Sequence, residues 1–109
     1  MATLIPQVVS LAGLTPTYAS AAVGGDKVPP SDRTFVHIKN GAGAPVTVTL
    51  TATAKVRGQA VGNLTVSVAA SGEQMIGPLT ADLLAGVSDG LVAIGYSSNT
   101  SVTVAALRI

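Results

Sequence analysis

The chain lacks cysteine and has few charged and few aromatic residues. Without cysteine, neither a disulfide framework nor a thiolate metal site can form. Charged residues make up 10% of the 109 residues, against roughly 25% in ordinary soluble domains. The formal net charge is only +1, whereas a protein that binds nucleic acid by electrostatics needs a basic stripe. We therefore expect no nucleic-acid partner.

Long apolar runs are also missing from the sequence. No stretch approaches the ~18 residues that a membrane helix needs, and the first residues lack the basic region of a secretory signal. The apolar character comes from Ala and Val spread along the whole chain. We expect no membrane partner, and we expect a partner or further copies of the chain to cover part of the apolar surface.

The residues that are abundant, Val, Thr, Gly and Ser, favour strands joined by tight turns. In residues 46–53, Val46, Val48 and Leu50 alternate with threonines, which is the period of a strand with one apolar face. Residues 34–39 form a second candidate strand. The link at 40–45 is rich in Gly and contains Pro, which is turn chemistry. The pattern predicts that these two strands form an antiparallel hairpin.

Other short runs bounded by turn residues are also predicted as strands: 64–68, 74–76, 91–96 and 101–108, with 4–9 and 17–22 as weaker candidates. The strands at 91–96 and 101–108 are predicted to pair, residues 80–85 to form one helical turn, and residues 24–33 to form a loop. Seven or eight short strands at this spacing predict an all-β fold, an antiparallel β-sandwich of jelly-roll-like form. We expect one domain, with a β-sandwich core at 34–109. Residues 1–33 are expected to form an N-terminal arm and irregular β segment that packs on this core.

One catalytic pattern matches literally. Residues 86–90 fit G-x-S-x-G, the nucleophile elbow of α/β-hydrolases. The elbow needs a strand before its serine, a helix after it and a histidine later in the chain. Here the predicted elements around Ser88 come in the reverse order, and His37, the only histidine, comes earlier. We therefore predict an Asp-Gly turn at this position and no enzyme.

His37 is also a poor metal ligand candidate, because zinc or iron sites need three or four ligands and the chain has one histidine and one glutamate. We predict an exposed or hydrogen-bonded strand residue, and no cofactor. The five acidic residues do not have the spacing of a calcium loop. Tyr18 and Tyr96 could pair into a sugar-stacking platform, although packing in the core or in an interface is the preferred interpretation.

Four stretches carry a family resemblance when they are taken in order: GDKVP at 25–29, DRTFVHIKNG at 32–41, SGEQMIGPL at 71–79, and the segment at 96–108 that begins with YS and ends with TSVTVAALR. Together they resemble small virion proteins of tailed phages that infect actinobacteria, of the head decoration or cement kind. The resemblance spans residues 3–109.

The resemblance implies a protein that is made in the host cytoplasm, binds the outer capsid surface of the virion and stabilises the shell. Its partner would be the major capsid protein, and it would form a homo-oligomer, with a trimer favoured. Candidate interface residues come from the apolar arm and the charged residues near it: Leu4, Ile5, Val8, Val9, Asp26, Lys27, Asp32 and Arg33. Strand addition at a free edge strand is a second possible contact.

Three other functions stay open at this point. The chain could be a virion-displayed binding module for carbohydrate or a host surface, or a head–tail or tail structural subunit. An enzyme ranks last.

Overall fold

The structure is a computed structural model, and it describes residues 2–60, 62–84, 86 and 90–109. Apart from one helical turn, α1 (Ala81–Leu84), the regular elements in these ranges are strands. In chain order the strands are β1 (Ala2–Thr3), β2 (Gln7–Val8), β3 (Ala19–Ser20), β4 (Asp26–Val28), β5 (Thr34–Asn40), β6 (Val46–Leu50), β7 (Lys55–Val56), β8 (Gln59–Ala60), β9 (Leu64–Val68), β10 (Glu73–Ile76), β11 (Val92–Tyr96) and β12 (Val102–Arg108).

The strands form two main sheets and a small hairpin. Sheet A has the order β1-β4-β11-β6-β9, and sheet B has the order β10-β5-β12-β2 with β3 also paired to β12. The pairs β1–β4 and β2–β12 are parallel, while the other neighbours within the two sheets are antiparallel. Strands β7 and β8 pair with each other in a separate two-stranded hairpin. The predicted all-β, mainly antiparallel fold is confirmed.

Period-two alternation places the core between the two sheets. Val46, Val48 and Leu50 of β6 and Val36 and Ile38 of β5 belong to one buried cluster. The threonines between the β6 residues face away from this cluster, and Thr47 is exposed. The predicted strand at 46–53 is confirmed for its first five residues, but it ends at Leu50.

The predicted hairpin of residues 34–39 and 46–53 is wrong, because β5 lies in sheet B and β6 in sheet A. The link between them crosses from one sheet to the other, and Asn40 holds this crossing. The Asn40 Nδ2 donates to the carbonyl oxygens of Ala44 at 2.9 Å and Val68 at 3.2 Å, and Oδ1 accepts from the Ala42 N–H at 2.9 Å. The link is therefore an arch, and it lets both strands face the same core from opposite sides.

The predicted pair of 91–96 with 101–108 is wrong for the same reason. These residues form β11 in sheet A and β12 in sheet B, so the link at 97–101 also crosses between sheets. The predicted loop at 24–33 contains β4, whose Val28 is in the core. The weaker candidates at 4–9 and 17–22 contribute only the two-residue strands β2 and β3.

The alternation in β6 predicts opposite responses at neighbouring positions. Val48 is 0% exposed, so Val48→Asp buries a charge without a partner and should lower the free energy of unfolding by more than about 4 kcal/mol. Thr47→Asp adds the same charge to the exposed face and should cost less than about 1 kcal/mol. Urea unfolding followed by circular dichroism measures both values, and equal losses would contradict the assignment of faces.

Asn40 should be sensitive to the loss of its amide donors. Asn40→Asp replaces the NH₂ group with an oxygen that faces carbonyl oxygens, so we expect unfolding to become easier by about 3 kcal/mol. Asn99→Asp is the control, because Asn99 is exposed and its Nδ2 makes one long bond of 3.4 Å to the Ala21 carbonyl oxygen. Thermal unfolding of the two variants should separate them clearly. A similar melting temperature for both would show that Asn40 does not hold the arch.

Candidate interaction surface

His37 is the centre of a polar row on the outer face of sheet B. Its neighbours Val36 and Ile38 point into the core, so the His37 ring points to the other face. The Tyr18 hydroxyl lies 2.7 Å from His37 Nδ1, and Glu73 Oε1 lies 3.3 Å from Nε2. A neutral ring with the proton on Nε2 satisfies both contacts. His37 is therefore a hydrogen-bonded strand residue, one of the two environments that the sequence predicts.

Although it lies on the outer face, the His37 ring is buried, and the Tyr18 side chain of the N-terminal segment, residues 7–20, packs against it. Tyr18 belongs to this segment and meets His37 edge to face, with 5.5 Å between the ring centres. The Lys39 Nζ lies 4.1 Å from the centre of the Tyr18 ring, in a cation–π contact. Ala105 and Leu107 share this face with His37 and are also buried.

Both ends of the N-terminal segment are fastened to β12. Strand β2 pairs with the end of β12 at Leu107 and Arg108, and β3 pairs with its beginning at Thr103 and Val104. The Gln7 amide closes the segment on itself, because its Nε2 donates to the Thr17 carbonyl at 2.8 Å and its Oε1 accepts from the Thr17 N–H at 2.9 Å. The segment thus covers an edge of sheet B that would otherwise be open.

Large apolar side chains project from the N-terminal region into solvent. Ile5 is 81% exposed, Val23 is 80% exposed, Leu11 is fully exposed and more than half of Val8 is accessible. Leu11 sits in a turn that is closed by the bond from the Gly13 N–H to the Ser10 carbonyl. Exposed apolar side chains of this kind are candidates for contact with a partner.

A mainly apolar groove opens at one end of the outer face of sheet B. Its volume is about 440 Å³, and Phe35, Met75, Pro78 and Ile109 line it. A Cβ at Gly77 would lie 2.5 Å from the Phe35 Cβ, so only glycine lets the end of β10 pass so close to β5. Asp32 and Arg33 are exposed at the rim of the groove.

The predicted interface residues divide into two groups. Ile5, Val8, Asp32 and Arg33 are exposed, whereas Leu4, Val9 and Lys27 are half-buried, and Leu4 packs against the core. Asp26 is 1% exposed, and its Oδ2 accepts a bond of 2.8 Å from the Tyr96 hydroxyl. The structure therefore brings Asp26 into the interior and places the first group on the surface.

The other candidate sites are separate from this surface. Tyr18 lies on the outer face of sheet B and Tyr96 packs against the core, so they do not form one platform. Ser88 and Asp89 of the G-x-S-x-G match lie outside the described residues. Within the described ranges, no group of three or more His, Asp or Glu side chains is placed to hold a metal ion. No helix in the same ranges is long and apolar enough to span a membrane.

The bond between Tyr96 and Asp26 predicts a loss of stability in alkali. Burial and the neighbouring Asp26 carboxylate raise the pKa of Tyr96 above its ordinary value. Because the folded state holds this proton more tightly than the unfolded chain, the contribution of Tyr96 is complete below about pH 10 and is lost as the pH rises further.

Tyr96→Phe should remove this alkaline component. At neutral pH it should also lower the free energy of unfolding by about 2 kcal/mol, because the Asp26 carboxylate loses a hydroxyl donor. Tyr18→Phe also removes one tyrosine hydroxyl but leaves the bond between Tyr96 and Asp26 in place, so it serves as the control. Denaturant unfolding between pH 7 and 11 tests this, and a Tyr96→Phe profile that matches the control would refute the linkage.

Comparison of the chain with models of known families, with characterised proteins and with solved structures found no match. Its function therefore has to be argued from its own surfaces. The two surfaces that the fold provides for this purpose are the apolar side chains of the N-terminal region and the groove beside β10.

Proposed function

We propose that the chain is a structural, non-enzymatic protein of a phage head, which binds the outer capsid surface and stabilises the shell. The observation that carries this proposal is the set of exposed apolar side chains in the N-terminal region: Ile5, Val8, Leu11 and Val23. A second line of support for the capsid proposal is the resemblance of four sequence stretches, taken in their order along the chain, to head decoration proteins. These stretches are 25–29, 32–41, 71–79 and 96–108.

The fastening of the N-terminal segment holds two of these side chains, Val8 and Leu11, in place before a partner binds. Burying one Val, Leu or Ile side chain contributes about 1.5–3 kcal/mol, but ordering a flexible segment on binding would consume part of this gain. Here the Gln7–Thr17 bonds and the pairing of β2 and β3 with β12 already hold the backbone in place. A copy that touches two capsid subunits then stabilises the assembled shell by mass action.

The polar row on sheet B supports a structural role better than a catalytic one. Both ring nitrogens of His37 have partners, since Nδ1 meets the Tyr18 hydroxyl and Nε2 meets Glu73. The histidine of a catalytic triad has two such partners as well, but a general base must lie within reach of a substrate proton, and the His37 ring is buried against Tyr18. In this arrangement His37 instead joins the N-terminal segment to β5 and β10.

The remaining features of the proposal follow from the same resemblance. The partner is the major capsid protein, the site is the outer surface of the virion after synthesis in the host cytoplasm, and the protein self-associates, with a trimer favoured. The two sheets are proposed to form a jelly-roll-like sandwich. Their shared core and the repeated crossing of the chain between them, at β5–β6, β9–β10 and β11–β12, support this finer description.

The groove supports one alternative, a binding module displayed on the virion. Phe35 and Met75 offer apolar surface and Asp32 and Arg33 offer polar groups, a combination that suits a small ligand. A specific hit on a glycan array that is lost in Phe35→Ala would favour this alternative over the capsid proposal.

The capsid proposal is tested by cosedimentation of the purified chain with heads of the encoding phage that lack it. We expect saturable binding. Ile5→Glu and Leu11→Glu should each weaken it at least about tenfold, because each places a charge in the apolar contact. Gln59→Glu is the matched control, since it adds the same charge to an exposed residue of β8.

Each result of this experiment decides something. Absence of the chain from purified virions, or binding that the arm variants leave unchanged, would refute the proposed contact. Immunolabelling confined to the tail would instead assign the chain to a tail structural subunit. Circular dichroism spectra of the variants should match the wild type, because the substituted side chains lie in solvent.

A further inference from the structure

Strand β9 is an edge strand of sheet A. It pairs with β6 in a regular ladder of five residue pairs, from Leu64 opposite Leu50 to Val68 opposite Val46. Among the strands that the structure describes, none pairs with its other side. An edge of this kind presents a row of backbone N–H and C=O groups to another strand.

The β9 edge carries none of the usual features that prevent pairing. Its sequence, LTVSV, has no charge, no proline and no glycine. The neighbouring edge of sheet B differs, because β10 carries Glu73 and is followed at once by Gly77 and Pro78. The opposite edge of sheet B is covered by β2 and β3. Of these three edges, β9 is the one best suited to accept a strand.

The apolar face of β9 is also incompletely covered. Val68 is fully buried, Val66 is half-buried and Leu64 is 43% exposed, although all three belong to the row that faces the core. Thr65 and Ser67 are exposed on the outer face. One additional strand beside β9 would cover Leu64 and Val66 and would satisfy the free backbone groups.

We propose that this additional strand is β9 of a second copy of the chain, paired antiparallel about a two-fold axis at Val66. In this register Leu64 lies opposite Val68 of the partner subunit, Thr65 faces Ser67 of the partner subunit, and Val66 faces its own counterpart. Val68 is already buried in its own subunit, so the apolar contact across the axis comes from the two Val66 side chains. Hydroxyls meet hydroxyls and no like charges oppose each other, so the strand is compatible with its own copy.

This inference does not depend on binding to a capsid, because it concerns the purified chain alone, and it adds a two-fold contact to the self-association proposed above. A two-fold contact joins copies in pairs. It predicts dimers, or assemblies with an even number of subunits if a three-fold contact also forms.

The first test is sedimentation velocity of the purified chain over a range of concentrations. We expect a dimer or a larger even-numbered assembly. The double variant Thr65→Lys with Ser67→Lys should raise the dissociation constant at least about tenfold, because lysines then face lysines across the axis. Thr15→Lys with Thr17→Lys is the matched control, since it adds two lysines at the same spacing to exposed positions of the N-terminal segment.

Charge reversal then restores the contact. The double variant Thr65→Glu with Ser67→Glu should also dissociate alone, but it should form a heterodimer when mixed with the lysine variant. This rescue cannot come from misfolding of either variant.

The register is tested by cross-linking, for which the absence of native cysteine is an advantage. Directly opposite residues in an antiparallel pair have Cα atoms about 4.5–5.5 Å apart, within the range of a disulfide. A Thr65→Cys variant mixed with a Ser67→Cys variant should therefore cross-link more efficiently than either alone. A monomer at every concentration, a trimer only, or association that ignores the charge variants would overturn the proposal.

Discussion

The two sheets share one core, and the chain has to cross between them without leaving backbone polar groups unsatisfied in the interior. Asn40 solves this problem at the crossing from β5 to β6. Its side chain is buried and bonds the link itself, at Ala42 and Ala44, and also the end of β9, at Val68. One amide thus ties together the arch after β5 and an edge strand of the other sheet. The positions of β6 and β9 relative to β5 depend on it.

The alternation in the sequence predicted which side chains of β5 and β6 are buried, but it could not predict which strands pair. A link rich in Gly and Pro allows a reversal of the chain, and this is equally compatible with a hairpin and with an arch between sheets. The choice depends on the neighbours that each strand finds far along the chain, such as β12 for β5 and β9 for β6. The dipeptide Asn40-Gly41 at the start of the link is itself common in hairpin turns, so it did not indicate the arch.

The same limit applies to the candidate surface. Ile5 and Val8 are exposed, as an apolar arm that contacts a partner requires. Asp26 differs from this expectation. A carboxylate in a Gly-rich stretch indicates a solvated loop, but Asp26 is buried. Its hydroxyl donor on Tyr96 lies 70 residues later, and no local pattern records that contact. The contact between Tyr18 and His37 likewise joins residues 19 positions apart in the chain, and no local pattern predicts it.

The scarcity of charge and the arrangement of edges have a common physical meaning. The chain has six basic and five acidic residues, and neither β6 nor β9 carries one. An edge without charge is poorly protected against pairing, but it also loses little hydration when a partner covers it, because no ion has to be desolvated. In sheet B, by contrast, the chain covers the edge at β12 with its own strands β2 and β3. The chain thus covers the β12 edge itself and leaves the β9 edge open and without charge. This arrangement suits a protein whose β9 edge is covered when it assembles.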